Sequence, residues 1–327
     1  ETSAWDKTKI VEALVKEAKI PHSDARQIAA NIEKKIILAN IDKITTSLIR
    51  ALVDNELLTL GYSSKIKGQT TLGVPRYDLE QLIFSKGKEN SNVSAHNPEA
   101  INLAIAEIIL KQYALDNVFS SDVSDAHLDA RIHIHDLGYP TRVYCSSHSL
   151  EYLKKYGLKL ENLDVISAPA KHARTLTGHL NTFLASMQAY YAGALGIGYL
   201  NIFYAPYLVG LTYTEMLQEA QYLIFSLSQS AFSRGGQTLF LDANIHTGVP
   251  SYLKNIPAIG PKGEYTGRTY SDYEKISQLF AMALLEVWRK GDMYGHPFAF
   301  PKCDLHITDE TFSAPEQRKN FQYACLA

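Results

Sequence analysis

At 327 residues, 46% of them apolar and 20% charged, the chain has the composition of an ordinary globular protein, with length for two domains and a sizeable core. Lys plus Arg (32) nearly balances Asp plus Glu (34), which excludes a global field that would draw the chain to nucleic acid or to an anionic membrane. The three cysteines, Cys145, Cys303 and Cys325, are widely spaced, which excludes a disulfide framework and a CxxC metal site; with no charged-then-apolar signal segment opening the sequence, the expectation is cytoplasmic.

Residues 6–57 read as three helices. Ile10, Leu14 and Ala18 recur at helical spacing until Pro21 breaks the pattern. Ser23 or Asp24 is the expected cap of a second helix striped by Ile28, Ile32 and Ile36. Thr45 or Thr46 caps a third that carries Ile49, Leu52, Val53 and Leu57 and stops at Gly61. Residues 61–95 read as a connector with one helical interlude at LGVPRYDLEQLI and loop composition over 85–97. Asn97-Pro98-Glu99 then opens a helix with an asparagine cap and proline in the first turn, striped by Ile101, Ile105, Ile108 and Ile109. A domain boundary is expected near residue 95, giving a helical domain over 1–60, the connector, and a larger domain over 96–327.

Residues 131–147, RIHIHDLGYPTRVYCSS, concentrate the chemistry. Isoleucines alternate with His133 and His135, so the run reads as a short strand with both imidazoles on one face, ending in a Gly-Tyr-Pro turn. A second short strand around Val143 would return Cys145 to that face, kept as S–H by burial away from cations. Two chemistries fit these residue types. One is a thiol presented over a substrate. The other is a metal pair, since HxH on a strand is how amidohydrolase-type hydrolases hold two ligands, with His172, His179, Asp242, His246 and Asp304 available as further ligands.

Residues 180–214 contain no Asp, Glu, Lys or Arg and exceed the ~20 residues needed to cross a bilayer. Asn181, Gln188 and Asn201, with Gly193, Gly196, Gly198 and Pro206, instead indicate a pair of helices buried on all sides within a globular protein. The glycines of GALGIG lack dinucleotide-loop spacing and suit close packing. Residues 233–246 read as a Gly-Gly turn into a buried strand, and residues 273–289 as an amphipathic helix with Ile276, Phe280 and Leu284 inward. GHPFAFPKCDLHI gives a last strand. Cys303 and Cys325 read as buried packing residues.

Two stretches carry family resemblances. WDKTKI (residues 5–10) and TTSLI (residues 45–49) resemble elements of ATP-cone domains, the nucleotide-sensing modules of ribonucleotide reductases, which implies that Lys9, Thr46 and Arg50 meet ATP or dATP. The family's Lys-Arg-Asp-Gly segment would fall just before Glu1. SDAHLDARIHIHDLGYPTRVYCSS is similar to the signature of anaerobic, class III ribonucleoside-triphosphate reductases: Ala126-His127, Ile132-His133, His135-Asp136-Leu137 and Cys145 match in order, with Tyr144 in place of an asparagine. Gln188, Ala192-Gly193-Ala194, Ala205-Pro206 and Phe300-Pro301-Lys302 resemble further landmarks of these enzymes.

The resemblance implies an α/β protein: an N-terminal ATP-cone-like helical domain followed by the first part of a ten-stranded α/β barrel of the glycyl radical enzyme type. It implies that Cys145 supplies a reducing hydrogen opposite a thiyl radical and that His133 assists it. His135 and Asp136 would support the substrate pocket. It also implies ribonucleoside triphosphates as substrates, dATP and other deoxynucleotides as effectors, a homodimer and an activating enzyme using S-adenosylmethionine. The radical glycine, its partner cysteine and a four-cysteine zinc site are expected beyond residue 327, which makes the sequence the N-terminal half of such an enzyme and inactive by itself. Two other classes stay open: a metal-dependent hydrolase, and a non-catalytic nucleotide-sensing protein.

Overall fold

The computed structural model describes residues 4–69, 72–84, 97–231 and 236–326. The loop read over 85–96 and the opening of the turn at 233–235 lie outside the described residues. The chain divides into two compact units, one of residues 1–78 and 108–138, the other of residues 79–107 and 139–327.

In the first unit, helices α1 (Thr8–Lys16), α2 (His22–Leu38) and α3 (Thr46–Thr59) close around one core. The stripes read from the sequence are its contents: Leu14, Ile28, Ile32 and Leu57 are fully buried. Thr45 caps α3, its hydroxyl accepting from the Leu48 N–H at 3.2 Å. The cap expected of Ser23 or Asp24 is not formed, because α2 begins earlier: Pro21 occupies the cap position and both residues fall inside the first turn. Asp24 instead accepts a hydrogen bond from the Tyr62 hydroxyl. Glu56 is buried but held by Lys35 at 2.6 Å and by the Asn31 amide at 2.8 Å, which meets the requirement that a buried charge be paired.

Helices α4 (Arg76–Phe84), α5 (Pro98–Tyr113) and α6 (Ser121–Leu128) follow in the chain. Asn97 caps α5 through Ala100 N–H at 2.8 Å, as its sequence indicates, although the isoleucine stripe is half-buried rather than buried. After α6 the strand expected over residues 131–137 is absent. Ala130 adopts φ 58°, Arg131 and Ile132 N–H groups turn back to the Ala126 carbonyl, and Ile134 N–H donates to His127 Nδ1 at 3.2 Å. The backbone donors that a strand would spend on a neighbour are spent on this helix end, and Asp136 at φ 51° turns the chain again.

The second unit is built on a four-stranded parallel sheet in the order β1 (Ser146–Ser149), β2 (Leu195–Gly198), β3 (Leu241–His246) and β6 (Lys302–His306). Parallel pairing requires crossovers, and helices α7 (Leu150–Tyr156), α8 (Ala173–Met187), α9 (Leu200–Tyr204), α10 (Tyr213–Ser228), α11 (Ser251–Lys254) and α12 (Glu274–Lys290) supply them. An antiparallel pair, β4 (Pro257–Ile259) with β5 (Tyr265–Thr269), lies on the third crossover. Helices α13 (Asp309–Ser313) and α14 (Pro315–Leu326) follow the sheet, and Cys325 on α14 is exposed rather than packed.

Residues 180–214 are not the helix pair expected. They run through the end of α8, a turn at Gln188–Tyr190, the strand β2, the short helix Leu200–Tyr204, a turn at Ala205–Tyr207 and the start of a helix at Tyr213, because a charge-free, mostly apolar run fits a central strand as readily as a helix. Among the described residues no helix is long and apolar enough to cross a membrane. One face of the sheet enters the core through Leu195, Ile197, Leu241, Ala243 and Ile245, all buried. The other face is polar.

Candidate functional site

That polar face follows from side-chain alternation. Ser147 is paired with Gly196, Gly196 with Asp242 and Asp242 with Lys302, so these four share a face; Ser149 with Gly198, Asn244 with Asp304, and His246 with His306 extend it. Gly196 and Gly198 of GALGIG thus form an open floor in the middle of the sheet. Lys302 Nζ stands 3.8 Å from an Asp242 oxygen, and Asn244 Nδ2 donates to Asp304 at 3.3 Å. Burial, with Asp304 alongside, raises the Asp242 carboxyl above the usual carboxylate range.

Cys145 precedes β1 and continues the alternation of Ser147 and Ser149. Contrary to the expected burial, its side chain is exposed. Its sulfur accepts a hydrogen bond from Ala194 N–H at 3.2 Å. A Cβ on Gly193 would stand 2.5 Å from Sγ, so the thiol occupies space that only glycine leaves free at that position. Val143, expected in a strand, makes a single parallel bridge to Tyr191. Cys303 is the packing cysteine anticipated: it lies against the core, and burial pushes its thiol up to about 12.

The histidines of residues 131–137 belong to the first unit. His127, His133 and His135 form a row of rings with centroids 5.9 and 5.7 Å apart. His135 Nε2 is 3.8 Å from an Asp136 oxygen, an imidazole–carboxylate pair at the surface. The same unit carries the candidate effector residues. Lys9 is exposed in the first turn of α1, and Thr46 and Arg50 lie one turn apart on α3. Arg50 is engaged by Glu17 at 3.0 Å.

Among the described residues no three His, Cys, Asp or Glu side chains stand where they could hold one ion. HxH lies on a turn, so the shared strand face that a hydrolase would use is missing. Of the other proposed ligands, His246 is buried at the end of β3 and stacked on His306 (centroids 4.2 Å) and on Tyr199 (4.9 Å). Burial and the neighbouring His306 push it down to about 4, so it is neutral at ordinary pH.

The residues that hold Cys145 in place, Gly193 and Ala194 with the buried Gln188 behind them, are among the landmarks of the resemblance, which did not give them this role. Their signal was a lone glutamine and a glycine inside a charge-free run.

A family model described as anaerobic ribonucleoside-triphosphate reductase matches residues 89–327. An anaerobic ribonucleoside-triphosphate reductase of Haemophilus influenzae is 26% identical over 201 residues, 61% of this chain and 27% of that protein. A solved structure of an anaerobic ribonucleotide reductase superposes with a TM-score of 0.54 at 20% identity, covering 68% of this chain and 38% of the other. The Thermotoga maritima enzyme with dATP bound in the specificity site gives 0.51 at 18% identity, covering 68% of this chain and 40% of that one. At these identities the superpositions establish the fold, mixed α/β as the sequence indicates. The chain spans about a quarter of the curated relative's length and about two fifths of the solved chains. Since the family model covers well over half of its residues, the chain belongs to the anaerobic ribonucleoside-triphosphate reductase family.

Proposed function

We propose that this chain supplies the N-terminal part of an enzyme that reduces ribonucleoside triphosphates to 2′-deoxyribonucleoside triphosphates by radical chemistry, with Cys145 as a reducing thiol. The observation that carries the reading is the place of Cys145: exposed, at the head of β1, on the polar face of a parallel sheet whose opposite face is core. A nucleotide laid over Gly196 and Gly198 meets no side chain from the floor, and hydroxyl, carboxylate and amide groups stand around it. A thiol suits the step because sulfur can give up a hydrogen atom and then form a disulfide or thiyl state. By the resemblance, a glycyl radical would start the reaction by taking a hydrogen atom from a cysteine and be restored at its end, while formate or a small thiol protein would supply the two electrons of the net reduction.

The finer architecture belongs to the same proposal. The four parallel strands are read as the first part of a ten-stranded barrel, and the three-helix unit as ATP-cone-like, with Lys9, Thr46 and Arg50 toward ATP or dATP. The binding of dATP by the Thermotoga maritima enzyme supports a deoxynucleotide effector. The boundaries 1–60, 61–95 and 96–327, His133 as assistant to Cys145, His135 and Asp136 as pocket support, the homodimer, the activating enzyme using S-adenosylmethionine and the zinc site outside this chain are carried by the resemblance alone.

In the full-length protein, Cys145→Ser should abolish deoxynucleotide formation while leaving nucleotide affinity within about twofold, because serine keeps the size of the side chain and cannot release a hydrogen atom as sulfur does. The measurement is product formation under anaerobic activation beside equilibrium binding of a ribonucleoside triphosphate. Product at the wild-type rate would remove Cys145 from the chemistry.

A further inference from the structure

Behind Cys145 stands a chain of hydrogen bonds that ends on its sulfur. Phe240 N–H donates to Gln188 Oε1 at 3.1 Å, and Gln188 Nε2 donates to the Gly193 carbonyl at 3.1 Å. The other end of that same peptide unit, Ala194 N–H, donates to Cys145 Sγ at 3.2 Å. Every dipole points the same way. Amides linked in this fashion polarise one another, and their effect is larger in a site screened from water. Gln188 is 1% exposed, and both ends of its side-chain amide are bonded in this way.

From this we infer that Gln188 is a positioning residue for Cys145, acting through the Gly193–Ala194 peptide. Three physical consequences follow. The peptide plane is fixed at its carbonyl by Gln188, so the direction of the Ala194 N–H is fixed as well. A sulfur that accepts this bond has its own proton turned away from Ala194 N–H, leaving S–H free to face the open side of the sheet. The missing Cβ at Gly193 lets the sulfur come to the amide, since a methyl there would stand 2.5 Å from it. The arrangement is measurable without any turnover, since alkylation needs the sulfur held toward the open side of the sheet, and without the brace it can turn in against Gly193.

The inference rests on the proposed role of Cys145 only for its consequence in catalysis, and the two separate experimentally. In the full-length protein, the rate of iodoacetamide modification at Cys145 is followed by peptide mass spectrometry at fixed pH, with exposed Cys325 as internal control. Gln188→Glu retains the acceptor for Phe240 N–H and loses the donor to Gly193; Gln188→Leu loses both. Each should slow Cys145 modification threefold or more and leave Cys325 unchanged, with near-native circular dichroism, and Gln188→Glu covers the case in which leucine prevents folding. In turnover, kcat should fall with KM unchanged. A Cys145 rate within 1.5-fold of wild type in folded Gln188→Glu would overturn the inference. Slowed modification with full kcat would uphold the brace and overturn Cys145 as the reducing thiol.

Discussion

Replacing Asn201 with leucine should lower the stability of the second unit by about 4 kcal/mol, since several buried backbone and hydroxyl groups lose their partner at once and each costs ~1–3 kcal/mol. Asn201 is fully buried on α9. Its Oδ1 accepts from His246 N–H at 3.0 Å, and its Nδ2 donates to the His246 carbonyl at 2.9 Å and to the Ser277 carbonyl and hydroxyl at 3.1 and 2.8 Å. One amide therefore joins α9, the end of β3 and α12. Leucine has the volume and none of the bonds, so the loss is of hydrogen bonding rather than of packing. Urea unfolding followed by Trp288 fluorescence in a Trp5→Phe background reads the unit that contains Asn201, since these are the two tryptophans of the chain. Ser277→Ala removes one hydroxyl and should cost about 1 kcal/mol. A leucine variant that loses no more than the Ser277 variant would mean that the His246 backbone finds other partners, and the asparagine would then be incidental to the fold.

Asn201 also shows what the sequence made visible. A polar residue in a run without a single charge argued for burial within a globular protein, and the structure gives its amide four bonds. The helices of the first unit were legible for a related reason: Ile10, Leu14, Ile28, Ile32 and Leu57 recur at the helical period because one face meets the core and the other water. Period failed where the open face carries no polar side chain. Residues 195–198 alternate buried Leu195 and Ile197 with glycines, which mark no polar face, and β2 was hidden in what reads as a helix pair. Period also misled over His133 and His135. Alternation with isoleucine has the form of a strand, but among the described residues no neighbouring strand accepts its ladder, and the backbone folds back on the end of α6 instead. The site divides in the same way. Cys145 was readable from a motif. The polar sheet face behind the proposed function depends on register between strands separated by about fifty residues, and Gln188 depends on one peptide plane. The register leaves no local mark in the sequence; Gln188 stands out there as a lone glutamine, but its bond to the peptide behind Cys145 does not.

Lys154→Met should stabilise the second unit at pH 6.5 by about 2–3 kcal/mol, in the range seen when a buried charged group gives way to an apolar one of similar volume. Lys154 follows β1 on α7 and is 0% exposed, whereas the adjacent Lys155 reaches the Gly263 carbonyl at 3.0 Å from the half-buried surface. Nζ of Lys154 donates to the Tyr270 hydroxyl at 3.1 Å, and that hydroxyl donates to Glu151 at 3.0 Å. The rings of Tyr270, Phe203 and Tyr207 stand 5.0, 5.3 and 5.8 Å from the nitrogen. Burial lowers the amine from 10.5 to about 7, with Glu151 opposing. The sign follows from linkage. Below pH 7 Lys154 is charged in both states, and the whole cost of enclosing the ammonium is present. Between about pH 7 and the unfolded value the folded chain holds the amine neutral while the unfolded chain still binds a proton, so stability rises with pH by up to ~1.4 kcal/mol per unit. Above that window the cost is gone. The gain from methionine should therefore be full at pH 6.5, shrink through pH 8 and vanish by about pH 9. Taking the difference between variant and wild type at each pH cancels the tyrosines that titrate in the same range. Methionine also leaves the Tyr270–Glu151 bond intact. Three aromatic faces oppose this outcome, since each can stabilise the cation by roughly 1 kcal/mol in a desolvated setting. If Lys154→Met instead lowered stability at pH 6.5, the rings and the Tyr270 bond would outweigh the burial cost, and the aromatic group around α7 would be a site built to hold a cation.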